Sequence, residues 1–255
     1  PEDAIEQVNT LNDFPETDSR ELIADDYVYQ IKRLGFGPNH SPVAGLMAEH
    51  IVGFKDFAKA AGTAYKALKE QGGDDPWLDL RGFDMVGVQV LDKYRYKIRI
   101  NGQYPQFIYW LAMNFFAPMP WEAERFYKQP GMNARNINLH WYPVGTGPYY
   151  LAENNPNLRM VLERNPNFRG EDYPSDGMTA DKASGMLDDA GRTMPFIDRA
   201  VYSLEKEAIP RWNKFLQGYY DASGIASDSF DQAVKFGGGG EAQLTDEMRA
   251  QDIHL

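Results

Sequence analysis

The sequence of 255 residues predicts an α/β fold carrying a smaller, mixed α+β subdomain. Three observations lead there. An apolar stripe at helical spacing runs from Tyr27 to Leu34, and alternating runs flank reversals near residues 92 and 155. A strand–helix–strand order over residues 197–225 then reads as a βαβ-like unit, which implies parallel pairing under covering helices.

Residues 1–20 are acidic, polar and without periodicity, hence a loop. The first helix is expected over 24–34, with Tyr27, Val28, Ile31 and Leu34 on one face. Asp25 and Asp26 fall in its first turn, where negative charge complements the helix dipole. Ile23 offers no capping side chain, a loss of about 1 kcal/mol. Residues 43–71 are helical with interruptions at Gly53 and Gly62, and Gly72-Gly73-Asp74-Asp75-Pro76 is a break. Strands follow at 83–90 and 94–100 around Asp92-Lys93, then helices at 105–114 and 121–128. Gly145 to Leu151 and Leu158 to Leu162 form a hairpin across Asn154-Asn155-Pro156-Asn157, with Leu158, Met160 and Leu162 on one face. A polar stretch with a short helix near 180–190 leads to a strand at 197–204. A helix from Pro210 stopped by Gly218, a strand at Asp221–Ile225, a helix at 228–235 and a Gly237–Gly240 loop complete the chain.

Composition removes several function classes. A net charge of −11 without Lys/Arg clusters excludes a nucleic-acid footprint and reads as a solvated acidic surface. With no cysteine there is no thiol nucleophile, iron–sulfur cluster or cysteine zinc site. No run of about 18 apolar residues and no leader is visible, and Pro1 suggests a processed or excised piece. His40, His50, His140 and His254 lack metal-site spacing, so no metal and no cofactor is expected. Gly145 and Gly147 lack the third glycine of a dinucleotide loop. Asp172, Asp176 and Asp181 lack the order of a calcium loop. The pairs Asp74/Asp75 and Asp188/Asp189 diverge on any regular backbone and read as surface charge. Phe107, Tyr109 and Trp110 read as a buried face. No catalytic residue is assigned.

Four segments carry a family resemblance. They are Pro143-Val144-Gly145-Thr146-Gly147-Pro148-Tyr149 with Arg164-Asn165-Pro166-Asn167-Phe168; Ala24-Asp25-Asp26-Tyr27-Val28 through Leu34; Val88 through Ile98; and Arg211-Trp212 through Gly218 and Asp221. Their wording and order resemble the extracellular solute-binding proteins of family 5, the oligopeptide-, dipeptide- and nickel-binding receptors of bacterial ABC importers. The resemblance implies a periplasmic binding protein type II fold, of which this chain would be mostly lobe one. Residues 1–120 would form its smaller α+β subdomain, and 121–255 its core sheet, ending near the first interlobe crossover. It implies a periplasmic, monomeric, non-enzymatic receptor that hands peptides to membrane permease subunits. A nickel complex, an opine or an oligosaccharide is the alternative cargo, and a carbohydrate-active enzyme or lectin-like module the remote one. Two ligand-contacting segments map here: Val43 after Ser41-Pro42, where peptide receptors often have Tyr, and Ser223, Gly224, Ile225 and Ala226 after the Gly218–Asp221 motif. For Gly224 the bland reading is a strand bulge or close backbone approach. With one lobe of the trap, the chain alone is expected to bind peptides weakly or not at all.

Overall fold

The computed structural model describes residues 19–72 and 75–254. Residues 1–18 of the loop expected over 1–20, and Asp74 of the Asp74/Asp75 pair, lie outside them. Helix α1, Ala24–Gly35, is the centre of the larger core. Val28, Ile31 and Leu34 are buried, as their spacing demands. Each such side chain contributes about 1.5–3 kcal/mol by leaving water. Ile23 indeed gives no side-chain cap, but its N–H donates to the Asp26 carboxylate at 3.0 Å. The first turn thus recovers one capping bond from its own third residue.

Helices α2 (Ala44–His50) and α3 (Phe54–Glu70) are separated at Gly53, whose φ of 77° suits glycine alone among ordinary residues. Gly62, expected to interrupt, sits inside α3 without breaking it, because tertiary packing outweighs a cost of about 1 kcal/mol. Phe54, Phe57 and Ala61 of α3 bury against α1, together with Met47, Ile51 and Leu80. Strands β1 (Val88–Asp92) and β2 (Arg95–Ile98) pair antiparallel with Val88 opposite Ile98. Just before β1, Gly87 donates to the Val52 carbonyl at 2.9 Å and accepts from Arg99 N–H at 2.7 Å. A Cβ there would lie 2.3 Å from that carbonyl oxygen.

Helix α4 (Phe107–Trp110) is far shorter than the expected 105–114. Phe107 is buried and Trp110 half-buried, but Tyr109 is 68% exposed, so that aromatic run is only partly core. Helix α5 (Trp121–Tyr127) locks onto α1 through Glu124. Its buried carboxylate accepts from the Tyr29 hydroxyl and from Arg33 Nε at 2.8 Å. Arg33 also donates to Gln30, and Gln30 to the Phe115 carbonyl at 2.9 Å. Burial and the Glu124 charge together push the Tyr29 phenol up.

Strands β3 (Tyr149–Asn155) and β4 (Arg159–Arg164) form the expected hairpin, joined by β7 (Arg199–Ser203) in the order β3-β4-β7. Between them in sequence lie β5 (Glu171–Asp172), α6 (Thr179–Ala183) and β6 (Thr193–Met194), of which β5 and β6 pair. On β4 Val161 is buried and Leu162 half-buried, while Met160 and the preceding Leu158 are exposed. Bonds from Arg164 N–H to Asp198 and from Leu204 N–H to Leu158 make β7 antiparallel to β4.

Beyond β7 come α7 (Ala208–Leu216), α8 (Phe230–Ala233), β8 (Val234–Phe236), β9 (Ala242–Leu244) and α9 (Asp246–Ala250). Their core is Trp212, Ala233, Val234, Leu244 and Met248. The expected strand at Asp221–Ile225 is irregular backbone instead, so the βαβ unit does not form. Glycine at 224 weakens a strand, and no described strand pairs with this stretch. The Gly237–Gly240 loop turns out to close the β8–β9 hairpin, with Val234 opposite Leu244. The described chain divides into two compact units: one of residues up to Asn154 with Val161–Ala200, the other of Asn155–Met160 with residues from Val201 onward.

Candidate functional site

The Gly/Pro-rich turn at 143–147 is fixed by the first asparagine of the Asn165-Pro166-Asn167 segment. Asn165 N–H donates to the Pro148 carbonyl at 2.9 Å, and its side-chain amide donates to the Gly147 carbonyl at 2.9 Å. Its side-chain oxygen accepts from Asn167 N–H at 3.0 Å, an Asx turn that aims the amide back at the glycines. Two stretches that the sequence separates by some twenty residues are thereby one structural device.

That device walls a cavity of about 610 Å³, a size typical of ligand pockets. The N-terminal end of α1, Pro118 and Pro120 line the same cavity. So does Arg20, its guanidinium bridging the buried Asp26 carboxylate and Glu122, the latter at 3.1 Å. Tyr150 lines the rim and donates to Glu163 at 3.0 Å; that hydrogen bond, with burial, raises its phenol. The walls therefore offer backbone groups, apolar carbons and a guanidinium already engaged by two carboxylates. Such a lining holds a guest without supplying a paired nucleophile and base.

The residues assigned from the family resemblance stand elsewhere. Val43 is half-buried against the α1 core, its carbonyl accepting from Met47 N–H at 3.0 Å to start α2. Beside it the Ser41 hydroxyl is buried without a hydrogen-bond partner among the described residues. Ser223, Gly224, Ile225 and Ala226 belong to the second unit. Ile225 packs against its core, and the Ala226 carbonyl accepts from Ser229 N–H at 3.0 Å. A Cβ on Gly224 would meet nothing within 4 Å, so close backbone approach does not explain that glycine. Arg20 and Glu122 were not singled out by sequence, and Asp26 was read only as a first-turn acid of the helix. Pro143 to Gly147, Asn165 and Asn167 carried a signal, as parts of the motif quoted for the family resemblance.

Among the described residues no group of three His, Cys, Asp or Glu side chains could hold a metal ion. Of the other carboxylates considered, Asp75 pairs with Lys128 and Asp189 with Arg192, while Asp172 accepts from the Thr193 hydroxyl. No described helix is long and apolar enough to cross a membrane.

Comparison with known proteins gives a consistent answer. The profile of the bacterial extracellular solute-binding proteins, family 5 Middle, matches residues 17–247. A nickel-binding periplasmic protein of Escherichia coli K12 is 30% identical over 118 residues, 45% of this chain and 20% of that protein. A periplasmic oligopeptide-binding protein of Borrelia burgdorferi superimposes with a TM-score of 0.56 at 16% identity, over 83% of this chain and 34% of its own. The periplasmic binding protein DppA of Helicobacter pylori, solved with a bound peptide, gives 0.56 at 16% identity, over 85% and 33%. The chain thus spans about a third of the length of these structures and a fifth of the curated relative. The fold is that of the type II periplasmic binding proteins, a mixed helix-and-sheet architecture. By the match across nearly all of its described length, the chain belongs to the bacterial extracellular solute-binding proteins of family 5.

Proposed function

We propose that the chain is part of the substrate-binding receptor of an ABC importer, working in the periplasm as a monomer and delivering peptides to membrane permease subunits. The observation that carries this is the family match over residues 17–247. The peptide-bound state of relatives sharing the fold supports the choice of cargo. In this reading the chain is most of the first lobe, with residues 1–120 as the smaller subdomain and 121–255 as its core. Val43 in the first unit and, taken separately, the backbone of Ser223–Ala226 in the second are the proposed ligand-contacting segments. An elongated peptide is then gripped through its amides, each bond contributing about 1 kcal/mol net, and lobe closure is a shift between open and closed populations.

A second reading, nickel-complex transport, is favoured by the 30% identity to the E. coli nickel-binding protein. Mass spectrometry of small molecules retained by the natively purified full-length receptor, alongside elemental analysis, separates the two. A heterogeneous set of short peptides supports the first reading. Stoichiometric nickel without peptide overturns it.

A further inference from the structure

A second cavity, of about 430 Å³, lies between α1 and residues 81–90. It is separate in its lining from the one beside the 143–147 turn. Lys32 reaches into it from α1 and is only 8% exposed. An ammonium has three donors and is costly to bury unless they are met. Here Nζ makes one long bond, 3.4 Å to the Arg81 carbonyl, and joins no ion pair among the described residues. The neighbouring guanidinium of Arg81 cannot take over an incoming anion readily, because it is already engaged. It stacks 3.5 Å over the Trp121 ring and is held by Asp79 at 2.6 Å.

Two exposed carboxylates, Asp25 and Asp84, line the same cavity, and neither forms an ion pair among the described residues. Both act on Lys32 through space without touching it. Apart from Gln89 and the Tyr29 hydroxyl, which is turned to Glu124, the rest of the wall is apolar, with Val28, Met85 and Val88 buried in it. With Arg81 and Asp79 cancelling, the lining carries one cation against two anions. A plain anion would meet Lys32 but be repelled by Asp25 and Asp84. A plain cation would satisfy the carboxylates and leave the buried ammonium unmet. A molecule bearing both charges a few ångströms apart answers both requirements.

We propose that this cavity binds a small zwitterion of amino-acid size with an apolar side chain, its carboxylate on Lys32 Nζ and its ammonium toward Asp25 and Asp84. The site lies wholly within residues 25–121 and stands whether or not the peptide-receptor reading holds. Calorimetric titration of the 255-residue chain with L-leucine, L-leucinamide and 4-methylpentanoate tests it. The expected result is saturable leucine binding at least about tenfold tighter than either singly charged analogue. Lys32→Met and Asp84→Asn should each weaken leucine binding by about tenfold or more. In the unsubstituted chain, amide resonances of residues 84–90 should shift on adding leucine, a readout that no variant's folding affects. Absence of saturation up to about 10 mM, equal affinity for the analogues, unchanged affinity in Lys32→Met, or shifts confined to other residues overturns the proposal.

Discussion

Glu124 receives the Tyr29 hydroxyl and the Arg33 guanidinium within a nearly closed environment, side-chain exposure being 9% for Glu124 and 16% for Arg33. Glu124→Gln removes the charge but keeps the shape, and leaves Arg33 unpaired. We expect a loss of about 3 kcal/mol in urea denaturation, with the slope unchanged. Lys32 behaves in the opposite sense. Burial lowers its amine from the usual lysine range, against the pull of Asp84, Asp79 and Asp25. Between the lowered folded value and the unfolded one, the unfolded chain binds more protons, so stability rises with pH there. Lys32→Met should therefore stabilise the chain at pH 7, and the gain should shrink as pH climbs toward 10; denaturation midpoints at pH 7 and pH 9.5 check the sign. Neither role was legible from sequence. Lys32 reads as an ordinary solvated residue beside Ile31, and no short-range pattern links Glu124 to a tyrosine 95 positions earlier. By contrast Val28, Ile31 and Leu34 were legible, because their burial follows from spacing alone.

Elements repeat the lesson at larger range. Helix α1, the β1–β2 hairpin, α5 and the β3–β4 hairpin stand close to where periodicity and turn residues put them. What failed needed information from outside the segment. The strand expected at Asp221–Ile225 has no partner among the described strands. Helix α9 was missed although it announces itself, with Thr245 accepting from Met248 N–H and two acidic residues in the first turn. Thr245→Ala should cost about 1 kcal/mol and raise amide exchange in α9 before other helices. Gly87 is a stricter case, since its missing Cβ makes room for the Val52 carbonyl. Gly87→Ala should destabilise by about 2 kcal/mol or more, read as a lower thermal midpoint, whereas Gly62→Ala in the open interior of α3 should raise it.

For the whole molecule the governing quantity is the charge of −11. Surplus negative charge repels itself in the compact state, and the described surface ion pairs contribute little each. Raising salt from about 0.02 M to 0.2 M should therefore lift the thermal midpoint by a few degrees in scanning fluorimetry. A fall would mean that the ion pairs outweigh the repulsion. The glycine run between β8 and β9 has one more use. Gly240 N–H donates to the Gly237 carbonyl and Gly237 N–H to the Glu241 carbonyl, each at 2.9 Å, and nothing crowds Gly238 or Gly239. Because lengthening a reversal adds closure entropy only logarithmically, an epitope or fluorescent reporter spliced between those two glycines should leave both arms paired. The protein thereby carries its own splice point for following, in a living cell, where it travels.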